Sequence, residues 1–93
     1  MTDERMAEQV KAADAALRGT LTRLIRDEGV APVSVVIVLA HLLGEIAVDD
    51  AATHHGVRDA DAALRPVLEQ VRQAGRARAE LRRAGRVVRP GHA

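Results

Sequence analysis

The sequence predicts an all-α fold, a three-helix antiparallel bundle assembled into a homo-oligomeric helical bundle, with helices at about 4–28, 32–53 and 59–83. Three observations carry that expectation. Apolar residues recur at steps of three and four along each stretch, Gly- and Pro-marked connections separate the stretches, and the middle stretch is too apolar for one copy of the chain to cover.

The first helix rests on Met6, Val10, Ala13, Leu17, Leu21, Leu24 and Ile25, the stripe of an amphipathic helix. Thr2 or Asp3 can cap its start, and Gly29 supplies a left-handed residue after Asp27 and Glu28. Gly19, which costs about 1 kcal/mol against Ala in mid-helix, marks either a bend or a close helix contact.

Pro32 suits the first turn of the second helix, where a missing N–H removes no bond. Val33-Ser34-Val35-Val36-Ile37-Val38-Leu39 is β-branched enough to pass for a buried strand. The remainder of the stretch decides for helix: Ala40 to Ala52 contains no turn signal, and Leu39, Leu42, Leu43, Ile46 and Ala47 keep helical spacing beyond ordinary strand length.

His54-His55-Gly56 closes that helix, and the two imidazoles, when protonated, interact favourably with its dipole. Asp59 or Asp61 can cap the third helix. There Val57, Ala60, Leu64, Val67, Val71, Ala74, Arg78 and Leu81 fall on a heptad-like line interrupted by Arg78. Pro66 either sits in the first turn of a helix beginning near Leu64 or kinks a longer one. One helical domain over 1–84 is expected, with a basic, disordered tail over 85–93.

The 93 residues include no Phe, Tyr, Trp or Cys, so the core is aliphatic and shallow. Disulfides, thiolate metal sites and cysteine nucleophiles are thereby excluded. No Gly-rich phosphate loop, nucleophile elbow or His-Glu-x-x-His helix is present, so the expectation is a non-enzymatic chain without a cofactor. Its start lacks the pattern of a secretory signal, which predicts a cytoplasmic protein. The net charge of +1 conceals an acidic body and a basic end.

Between Val30 and Val48 the polar side chains are Ser34, His41 and Glu45, on one narrow stripe. The apolar remainder, with Val35, Val38, Leu39, Leu42, Leu43 and Ile46, is expected to form the oligomer interface, a dimer first of all. Small pairs one turn apart, Ala40 with Gly44 and Ala47 with Ala51, let backbones approach. A bilayer is disfavoured, because His41 and Glu45 are costly in lipid and no aromatic belt borders the stretch.

His41, Glu45 and Asp49 stand at steps of four. Two copies could present paired imidazoles and carboxylates to one metal ion, although the Glu-x-x-His spacing of carboxylate-bridged bundles is missing. The Arg-rich segment opens at Arg72, and in it Arg76, Arg78, Arg82, Arg83, Arg86 and Arg89 suit an anionic partner, either an acidic protein surface or nucleic acid phosphates. Without aromatics there is no base-stacking platform. A helix-turn-helix fails because Asp59 and Asp61 would place carboxylates where DNA should lie. The functional expectation is therefore an interaction module that self-associates, with nucleic-acid association or a metal-binding dimer as alternatives.

Overall fold

The computed structural model describes residues 2–85. It contains three helices, α1 (Asp3–Arg26), α2 (Pro32–His55) and α3 (Ala60–Arg83), and no strand among the described residues. The all-α expectation holds. Arg86, Arg89 and the rest of the tail lie outside the described residues.

Each boundary has a local cause. Thr2 is extended, and its hydroxyl accepts from the Arg5 N–H at 3.2 Å, with Asp3 and Glu4 in the first turn of α1. That helix ends two residues earlier than expected, because Asp27 and Glu28 both turn their N–H groups onto the Arg23 carbonyl. Gly29 then takes φ 67°, and the Val30 N–H reaches back to the Leu24 carbonyl at 2.9 Å. α2 leaves its second connection in the same way. Gly56 has φ 66°, and the Val57 N–H bonds the Ala51 carbonyl at 3.0 Å, so the helix runs on through His55.

α3 starts at Asp59, whose carboxylate accepts from the Ala62 N–H at 3.3 Å. Pro66 therefore lies inside a helix already under way at Ala60, which rules out a start near Leu64. Without an N–H, Pro66 leaves the Ala62 carbonyl short of its usual helical donor. A methyl group built at Gly19 would meet no atom within 4 Å, so no close helix contact explains that glycine.

The chain divides into two compact units, and the division falls inside α2, between Val35 and Val36. In the first unit Leu21, Leu24, Ile25, Val30 and Val35 are half-buried, while Met6, Val10 and Leu17 on the same stripe of α1 are exposed. In the second unit Ala51 and Ala63 are buried. Gly44, Ala47, Val48, Val57, Leu64 and Val67 are half-buried around the turn that joins α2 to α3. Two alanines thus make up the whole buried core among the described residues, and neither is completely shielded. Farther along α3 the heptad line continues, but Val71 and Leu81 on it are exposed.

Candidate interaction surface

α2 owes its unusual surface to its sequence: it is apolar nearly all round, whereas a helix of a small soluble fold ordinarily has one apolar side. Val36, Ile37, Val38, Leu42, Leu43 and Ile46 are between 44% and 65% exposed, and Val33 is exposed as well. Of the residues the sequence singles out as an interface, Val38, Leu42, Leu43 and Ile46 are exposed, and Val35 and Leu39 are half-buried. Val36 and Ile37 in the second unit, and Val33 in the first, are also exposed but escape the sequence reading. Their spacing contained the signal, yet spacing alone does not say which sides of an all-apolar helix the rest of the chain covers.

The polar stripe keeps its place. Ser34, His41, Glu45 and Asp49 are all exposed on one side of α2. Among the described residues no group of three or more His, Cys, Asp or Glu side chains is gathered closely enough to hold a metal ion. One copy of His41, Glu45 and Asp49 therefore does not make a metal centre.

Asp50, which the sequence reading passes over, gathers the two histidines at the helix end. Its carboxylate lies 3.0 Å from His54 Nδ1 and 3.9 Å from His55 Nε2. The first contact is the ordinary one-turn pairing on a helix surface. All three side chains are largely exposed, so the cluster adds little to stability.

On α3, two arginines of the basic segment are tied to neighbours. Arg72 pairs with Glu69 at 2.8 Å and Arg83 with Glu80, each one turn away. Arg65, Arg72, Arg76 and Arg83 are spaced by seven, four and seven residues and so share one side of the continuous helix, whereas Arg78 and Arg82 stand near the apolar line. Arg65 is the member that the sequence reading omits. Its neighbours Asp61, Leu64, Leu68, Glu69 and Arg72 form with it an open depression of about 240 Å³ on α3 alone. Its walls mix both charge signs with apolar methyls, and no ligand class is selected by them.

By length and composition α2 is also apolar enough to cross a membrane, with a mean hydropathy of 1.8 over its most apolar window, none of it buried. Its 24 residues measure about 36 Å, against a hydrocarbon layer of about 30 Å. His41 and Glu45 interrupt that stretch. No family model matches the chain, and comparison with curated proteins and with solved structures gave no similar protein.

Proposed function

We propose that this chain is a small non-enzymatic assembly module that works as a homo-oligomer, joined through α2. The carrying observation is the exposed apolar surface of α2, where six large aliphatic side chains of one unit are about half or more exposed. Such continuous patches mark interfaces.

Magnitudes set the strength. Completing the burial of Val36, Leu42, Leu43 and Ile46 in each of two copies is worth roughly 8 kcal/mol, taking about half of the 1.5–3 kcal/mol of full burial per side chain. Association costs about 4–15 kcal/mol in lost freedom. The two are of one order, so assembly depends on concentration, and a second exposed stripe, such as Met6, Val10 and Leu17 of α1, adds to it. Light scattering with mass detection across micromolar concentrations tests this reading. A mass that is a multiple of 10.0 kDa supports it, and a constant single-chain mass sinks it.

Insertion of α2 into a bilayer is a second reading, favoured by its length and hydropathy. We infer the oligomer instead because Glu45, with Asp49 and Asp50 one turn on, places carboxylates within the last turns of the apolar stretch. Flotation with lipid vesicles separates the two. The oligomer stays in the aqueous fraction, and a chain that rises with the vesicles belongs to the membrane. The basic half of α3 is left as an arm for an acidic partner.

A further inference from the structure

The apolar side of α2 has an order that bears on how two copies meet. Val36, Leu39, Leu43 and Ile46 succeed one another at steps of three, four and three, which places them on one side of the helix. Taken in reverse, the spacing is the same. A second α2 running the opposite way therefore brings Val36 opposite Ile46 and Leu39 opposite Leu43 in a single register. Extending the pattern by four residues at either end brings Pro32 of one copy opposite Asp50 of the other. At about 100° per residue, His41 lies on the far side of the helix from this row.

Charge decides between the two orientations. α1 and α3 carry acidic residues in their own first turns, Asp3 with Glu4 and Asp61, but the first turn of α2 carries none. The acids of α2 are Glu45, Asp49 and Asp50, all in its second half. In a parallel pair Asp50 would lie beside Asp50 of the second copy, near two helix C-termini that are already negative. In an antiparallel pair each Asp50 lies beside the positive first turn of the other α2, where a carboxylate is favourable.

We propose that the α2 helices of two copies pair antiparallel, about a two-fold axis at the level of His41, with Val36, Leu39, Leu43 and Ile46 as the buried row and each Asp50 at the start of the other copy's α2. This pairing rests on the self-association proposed above. It leaves His41 and Glu45 facing away from the row, so the contact between copies is apolar and holds no metal ion.

The absence of cysteine makes the test direct. Val36→Cys and Ile46→Cys are made in the full chain, one of them lengthened by a tag, and each is oxidised alone and after mixing with subunit exchange. In the antiparallel pair two thiols at position 36 are about 15 Å apart along the axis, out of disulfide reach, whereas positions 36 and 46 are side by side. The expected result is a covalent dimer from the mixture only. A covalent dimer from either variant alone overturns the orientation, as does an assembled protein that gives no covalent product in any of the three samples. A single-chain mass for the unmodified protein, or its flotation with vesicles, overturns the self-association beneath it. As a second readout, Asp50→Asn weakens the dimer roughly three- to thirtyfold in dissociation constant at low salt if the pair is antiparallel. Tightening would count for the parallel form.

Discussion

Gly75 and Gly56 are the same residue type under opposite constraints. Gly75 has helical backbone, and an added methyl there meets nothing within 4 Å. Gly75→Ala should therefore raise stability by about 0.5–1 kcal/mol, visible as a higher thermal midpoint by circular dichroism. Gly56, at φ 66°, holds the conformation that turns the chain out of α2, and Gly56→Ala should cost about 1–2 kcal/mol by the same measurement. Asp59 sits between these cases. Its carboxylate accepts a backbone N–H at the start of α3, so Asp59→Ala should lower stability by about 1 kcal/mol. At this scale the sequence was informative: Thr2, Gly29, Gly56 and Asp59 are residue types whose chemistry ends or begins a helix, and each does so. Asp50 was not legible, because its role comes from two histidines one turn on, and that pairing depends on the helix continuing through His55.

Among the elements, α2 was the hardest to read and is the most consequential. Its opening has strand-like residues, and only the length of the uninterrupted run identified it as a helix. Its apolar character was plain. The exposure of Val33, Val36 and Ile37 was not, since a helix with apolar residues in nearly every direction gives no contrast between core and surface. α3 shows the reverse case. Its heptad line was visible, but half of that line is uncovered from Val71 onward, and Pro66 occupies helix interior rather than a first turn. For α2 itself, Leu43→Glu should reduce the assembly to single-chain mass in light scattering, because a carboxylate would be desolvated in the proposed row, and Leu42→Glu, beside the row, should weaken it less. Ser34→Glu, on the polar stripe of the same helix, should leave the mass unchanged. Loss of assembly in Ser34→Glu, but in neither leucine variant, would point to the polar stripe as the contact.

For the whole molecule, the division of charge between an acidic body and a basic end predicts a separable arm. If the arm meets nucleic acid, duplex binding at low salt should fall steeply as salt rises, and should vanish in a chain cut after Gly75. If it meets an acidic protein, that chain should lose the protein partner while duplex DNA and RNA bind neither form. Gel shift at two salt concentrations separates these outcomes. Neither result bears on the proposed assembly through α2, which lies upstream of the cut.

Ala51 and Ala63, the two buried alanines beside the turn, have a thermodynamic corollary. Heat capacity of unfolding scales with the apolar area brought into water. An isolated copy that shields so little should melt gradually, with a shallow calorimetric signal. In the proposed assembly another copy would cover more apolar surface, so the transition should sharpen and its midpoint climb with protein concentration. In a cell, the folded lifetime of each copy would then depend on how many others were made alongside it.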